Sequence, residues 1–217
     1  MPSFKPGELE AILFDVDGTL YSQRSLRLRL LPRLAARSAL DPRLLRVLRA
    51  HRRALESLRL AESSHPIPDR QFQLTARLAG VAEERVRAYV EEWFAAAPLP
   101  LLKRCIRPGL TELLEFARGR GIRLGVFSDY PAEAKLKALD VREFFEAVTS
   151  AEDPEVQAYK PDPKGLLATL ARLGVVPERA LYVGDRAEVD AEAAARAGMR
   201  FLLLRGSRDC VALRSLL

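Results

Sequence analysis

Asp15 with Asp17, Ser128, Lys160, and Asp185 with Asp190 are residues of this 217-residue chain whose types and settings suit one common chemistry. Asp15 and Asp17 close the apolar run Ala11-Ile12-Leu13-Phe14 and lead into Gly18-Thr19. A buried strand that ends in two carboxylates is expensive unless something compensates them. The ends of parallel strands are also where open α/β sheets build their sites. Two acids there, followed by a glycine that frees the backbone to turn, suit a nucleophile, a proton donor and a hard cation. The run 122–127 ends at Ser128-Asp129-Tyr130-Pro131, which sets a hydroxyl ahead of a helix start, a natural place for an anion. Tyr159-Lys160-Pro161-Asp162-Pro163 puts one lysine in a proline-framed entry to a helix, and Ala180-Leu181-Tyr182-Val183 ends at Gly184-Asp185, with Asp190 close behind. The acids can hold a hard cation through oxygen ligands, while Ser128 and Lys160 neutralise phosphate oxygens. Taken singly, each has a plainer explanation, a polar turn or a surface lysine. Their joint occurrence, each at a strand end or helix start, points to phosphoryl chemistry.

The elements that must position these groups fall into three blocks. Residues 1–20 form a short lead and the first strand. Residues 22 to about 104 contain no strand pattern; the spacing of apolar residues predicts helices over 24–38, 42–61, 69–79 and 82–96. Breaks between them are expected at Asp41-Pro42, at 63–68 and at Pro98-Leu99-Pro100. From Arg107 onward helix and strand alternate: helix 108–119, strand 122–127, helix 131–139, strand 147–149, helix 162–173, strand 180–183, helix 187–197 and strand 200–204, with a terminal helix after Asp209. Such alternation implies a doubly wound, Rossmann-like parallel sheet. The all-helical block reads as a cap inserted into it, giving a core of 1–21 and 105–217 and a cap of 22–104.

At these residues the chain resembles the haloacid dehalogenase superfamily, in its phosphatase-like branch with a helical cap after the first motif. The matching motifs are Asp15-x-Asp17-Gly18-Thr19, Ser128, Lys160, and Gly184-Asp185 with Asp190, all in order. The resemblance implies that Asp15 is the nucleophile, forming an aspartyl-phosphate, and that Asp17 is the general acid and then the base. It places magnesium on Asp15, the Asp17 carbonyl and Asp185, with Asp190 supporting the metal shell. Ser128 and Lys160 would hold the transferring phosphoryl group, with Gly18 and Thr19 beside it and Lys160 tempering repulsion between the acids. Asp129 departs from the family, where asparagine is more frequent: a carboxylate facing phosphate adds unfavourable charge, although its N–H can still donate. The expected activity is magnesium-dependent hydrolysis of a small phosphorylated metabolite such as phosphoglycolate, a sugar phosphate or a nucleoside monophosphate. A phosphomutase is the alternative. A dehalogenase needs neither Asp17 nor magnesium, and an idle binding protein has no use for compensated acids.

Composition narrows the classes further. The chain is 48% hydrophobic with net charge +6, and residues 22–62 hold eleven arginines against three acids, a net of +8. These arginines alternate with leucines at helical spacing and lack interleaved aromatics, which argues for solvated helix faces and against a nucleic-acid platform; attraction of anionic substrate is the other reading. No apolar run is long enough to cross a membrane, and no basic-then-apolar leader suggests secretion. Cys105 and Cys210 lack metal or redox spacing, so a cytoplasmic setting is expected. His51 and His65 are each expected to be a surface or partly buried side chain.

Overall fold

The computed structural model describes residues 8–59, 67–204, 206 and 209–214, which divide into two compact units. One comprises Met1–Gln23 and Lys103–Leu217, the other Arg24–Leu102.

The first unit is built on a five-stranded sheet. Strands β1 (Ala11–Phe14), β2 (Arg123–Ser128), β3 (Ala147–Ser150), β4 (Ala180–Gly184) and β5 (Arg200–Leu203) pair in the order β3-β2-β1-β4-β5. Every pairing is parallel. All four residues of β1 are fully buried, as befits the middle strand of such a sheet, and its run of apolar residues without alternation has that cause. The chain winds from β1 outward to β3, then crosses back to β4 and β5. The reversal of strand order therefore falls between β1 and β4, where open α/β sheets leave a crevice at their carboxyl ends. Asp15 follows β1 and Asp185 follows β4.

The second unit is helical. It contains most of α1 (Gln23–Leu40), then α2 (Arg43–Arg59), α3 (Ile67–Ala79), α4 (Glu83–Val90) and the short α5 (Leu99–Leu102). Its core is formed by Leu44, Val47 and Ala50 of α2, Ala79 of α3, Val86 and Tyr89 of α4, and Trp93 and Ala97 beyond it. The helix expected over 82–96 is α-helical only to Val90 and π-helical over Glu91–Ala96. The break expected at Pro98-Leu99-Pro100 is followed at once by α5, because Pro100 falls in the first turn, where its missing N–H has no intrahelical partner to lose. The arginines of this unit lie mostly exposed, with Arg37, Arg59, Arg70 and Arg87 half-buried.

His51 corrects the sequence expectation. It is 2% exposed in α2, between α3 side chains. The Thr75 hydroxyl donates to the Gln71 carbonyl at 2.6 Å, so His51 Nδ1 must be the donor to Thr75 Oγ1 at 3.1 Å. Gln71 Nε2 then spends its two hydrogens on His51 Nε2 and the His51 carbonyl, both at 3.1 Å. The imidazole is thereby held neutral, and burial lowers its pKa to about 4. His65 lies outside the described residues.

Helices α6 (Leu110–Gly119), α7 (Glu133–Leu139), α8 (Lys164–Leu173), α9 (Glu192–Arg196) and α10 (Asp209–Arg214) belong to the first unit. Helix α8 packs on β1, β2 and β3, and Gly165 permits its approach: a Cβ there would overlap the Phe127 ring. The helix expected over 187–197 opens with a π-helical turn, Ala187–Ala191, before α9. Where the chain leaves and re-enters this unit, Tyr21 bridges Ile106, Ser22 N–H donates to the Cys105 carbonyl at 2.8 Å, and Arg107 N–H donates to the Leu20 carbonyl at 3.0 Å.

Candidate active site

β1 delivers Asp15 to the middle of the sheet edge. Its N–H still donates to the Val183 carbonyl of β4 at 2.9 Å, so the backbone position of Asp15 is set by the ladder. Its carboxylate has defined partners on both oxygens. Lys160 Nζ donates to Oδ1 at 2.6 Å, and the Thr19 hydroxyl, one turn on, donates to Oδ2 at 2.9 Å. Lys160 also donates to Asp190 Oδ1 at 2.8 Å and to the Tyr182 hydroxyl at 3.2 Å. Asp190 is fixed from its other side by the Arg186 N–H, 2.9 Å from Oδ2 across the π-helical turn. Asp15, Lys160 and Asp190 are 5%, 3% and 1% exposed. Burying these charges is tolerable because each is paired.

The electrostatics follow from that burial. Burial pushes the Asp15 carboxyl up, Lys160 opposes it and Asp190 adds to it, leaving it at about 7. For Lys160, burial alone would lower the ammonium's pKa, but Asp15 and Asp190 carry it well above its usual value. Burial, then Asp190, also raises Asp185.

Asp15, Asp185 and Asp190 each offer an oxygen within 4.8 Å of the others, which is a donor set for a hard cation. Two glycines make room for it. Gly18 has φ +106°, and a Cβ there would overlap the Asp185 carboxylate; a Cβ on Gly184 would collide with the Asp190 side chain. A cation among these acids would also favour the ionised Asp15 that burial disfavours. The residues present fit a metal.

Asp17 is handled separately. Its carboxylate receives Lys135 Nζ on both oxygens at 2.7 Å, and the Tyr21 hydroxyl on Oδ1. Burial alone would raise Asp17, but Lys135 and Tyr21 outweigh it and hold the group below the usual carboxylate range. Its backbone carbonyl accepts from Gln23 Nε2 at 2.7 Å, which occupies one of two lone pairs. Arg107 braces the same loop by donating to the Gly18, Thr19 and Gly206 carbonyls, at 2.8 Å to Thr19 and 3.1 Å to Gly206.

Ser128, 1% exposed at the end of β2, accepts the Tyr130 N–H at 3.3 Å. Its own O–H has no acceptor among the described residues. The Asp129 carboxylate accepts the Lys160 N–H at 3.1 Å and so organises the lysine's loop. Sequence reasoning missed Lys135, Tyr21, Gln23, Arg107 and Tyr182. None has a motif: Lys135 stands in a short amphipathic helix 118 positions from its partner.

The sequence profile of the haloacid dehalogenase-like hydrolases matches residues 9–198. The chain belongs to this family. Among its relatives, the glyceraldehyde 3-phosphate phosphatase of Methanopyrus kandleri is 34% identical over 210 residues, spanning 91% of this hydrolase and 84% of that protein. The phosphorylated carbohydrates phosphatase of Thermotoga maritima is 29% identical over 197 residues, 88% of this chain and 82% of its own. The crystal structure of an HAD phosphatase from Thermococcus onnurineus superposes with a TM-score of 0.59 at 26% identity, covering 91% of this hydrolase and 86% of the other chain. Hydrolases of this family generally use a metal ion, consistent with the acid triad of this one. No described helix is long and apolar enough to cross a membrane.

Proposed function

We propose that this hydrolase is a magnesium-dependent phosphomonoesterase acting on a small phosphorylated carbohydrate or related metabolite through an aspartyl-phosphate. The observation that carries the reading is the division of the acids: Asp15, Asp185 and Asp190 share one cluster, while Asp17 is held apart by Lys135 and Tyr21. A nucleophile among cation ligands, with a separate carboxyl for proton transfer, is what phosphoryl transfer needs and what metal-free dehalogenation does not. The names of the two relatives support the substrate class.

In this mechanism Asp15 Oδ attacks phosphorus in line. The bond from phosphorus to the alcohol oxygen breaks, and Asp17 gives that oxygen its proton. Water then attacks the aspartyl-phosphate, its proton goes to Asp17, phosphate leaves and the Asp15 carboxylate is restored. Lys160 neutralises a phosphoryl oxygen while holding Asp15 in register, and the unused Ser128 hydroxyl donates to another. Asp15, Asp185 and the Asp17 carbonyl would hold magnesium, with Asp190 in support; bound there, it supplies positive charge to the phosphoryl oxygens. A cytoplasmic setting is part of the reading, supported by Cys105 and Cys210 being free and buried.

Phosphate release from a panel of triose, sugar and glycolate phosphates, with and without magnesium, tests this directly. Release only with magnesium is expected. Full activity after exhaustive chelation, or none on any phosphomonoester, would overturn it.

A further inference from the structure

Helix α7 carries two lysines on different faces, and only one is spent on the solvent. Lys137 is exposed, whereas Lys135 is 8% exposed. Burial of an ammonium costs free energy that an apolar side chain at the same position would not, so stability alone gives no reason for Lys135. Its partners do. The ammonium contacts both Asp17 oxygens at 2.7 Å, and the Tyr21 hydroxyl meets Oδ1 from the other side. Glu152, in the turn after β3, also feels the Lys135 charge. With two contacts from a buried lysine and one from its own loop, the Asp17 carboxylate is restrained in direction as well as position.

We propose that Lys135 is a positioning residue of the reaction, holding Asp17 where it delivers its proton to the departing alcohol oxygen. The inference rests on the aspartyl-phosphate reading above. Lys135 itself transfers nothing: the Asp15–phosphorus bond forms, the phosphorus–alcohol bond breaks with its electron pair going to oxygen, and the proton comes from Asp17. The clamp fixes the direction in which the Asp17 carboxyl faces, through two contacts from Lys135 and one from Tyr21. Proton donation matters for an alkoxide leaving group and little for 4-nitrophenolate, which departs unaided.

The test compares kcat/KM, which covers steps through alcohol departure, for glycerol phosphate and 4-nitrophenyl phosphate in the intact magnesium-loaded protein. In Lys135→Met the glycerol phosphate value should fall about 100-fold, the scale of general acid catalysis, and the nitrophenyl value less than about 5-fold. Lys135→Arg, which keeps a charged donor pair, should restore most of the difference, and Tyr21→Phe should show the same selectivity more weakly. If thermal melts show Lys135→Met unfolded, the Arg and Tyr21→Phe variants decide. Equal losses on both esters, no loss, or a gain would overturn the inference and mark Lys135 as merely structural. A folded wild type that releases phosphate from neither ester, nor from any of the triose, sugar and glycolate phosphates above, would overturn the phosphatase reading instead.

Discussion

In the α/β unit, Asp15, Lys160 and Asp190 are buried together as charges, whereas in the helical unit most arginines face solvent and the buried polar cluster of His51, Gln71 and Thr75 is neutral. Both clusters have their hydrogen bonds satisfied, but to different ends. The neutral triad ties α2 to α3 and would lose that role if charged. The ionic cluster keeps Asp15 and its counter-ions in a dry setting, where each charge acts far more strongly than in water. A buried charged network is weak evidence for stability; at the carboxyl ends of parallel strands it is evidence for chemistry.

The largest effect that would break this contrast concerns Asp15. Asp15→Asn is expected to lower kcat by about 10⁴-fold or more, while thermal melting stays level or rises because a buried, repelled carboxylate is removed. Turnover near wild type would remove Asp15 from the chemistry. Metal removal should be nearly as severe: exhaustive chelation abolishes phosphate release, magnesium restores it, and calcium does not, because its larger and looser shell misplaces Asp15. Equal restoration by calcium would show that the geometry of the acid cluster is not decisive.

The helical unit should instead report through stability. His51 titrates near 4 in the folded chain because it is buried, against about 6.5 when unfolded. Its neutral form therefore contributes stability fully above pH 6.5, and the contribution is lost as pH falls toward 4, since the unfolded chain binds the proton first. The loss is on the order of 3 kcal/mol. Melts of wild type and His51→Gln across pH 4–7 check this, the variant giving the flatter profile from a lower plateau. Equal slopes would mean that the imidazole is not the linked group. The smallest effect is expected for the exposed arginines. Replacing Arg43, Arg46, Arg49, Arg52 and Arg53 with Gln should leave kcat unchanged and move melting by only a few degrees, as for surface charge generally. A kcat/KM that falls steeply from 0.01 to 0.15 M salt, and flattens in this variant, would instead assign them to drawing in anionic substrate.

Much of the α/β unit was legible because its signals are local. An apolar run that ends in Asp15-x-Asp17-Gly18, or in Gly184-Asp185, announces both a buried strand and a costly polar end, and the strands fall where those runs lie. Helix boundaries in the other unit were less legible: Pro100 marks a first turn here and a break elsewhere, and nothing local distinguishes a π-helical turn at Glu91–Ala96 from continued α-helix. His51 was misplaced because burial of a histidine depends on finding Gln71 and Thr75 on a different helix.

Local residue order by itself determined the strand ends, their acids, the single lysine among prolines and the inserted helical block, because apolar periodicity and turn chemistry act over a few residues. The family resemblance set Lys160 among the acids, but only the tertiary structure decided which carboxylates it meets and that Lys135 answers Asp17. Lys160 pairs with Asp15 across 145 positions and Lys135 with Asp17 across 118, separations over which a sequence carries no pairing signal. Those partnerships arise when parallel strands and α7 converge, and the low dielectric created by burial then turns proximity into large shifts of charge.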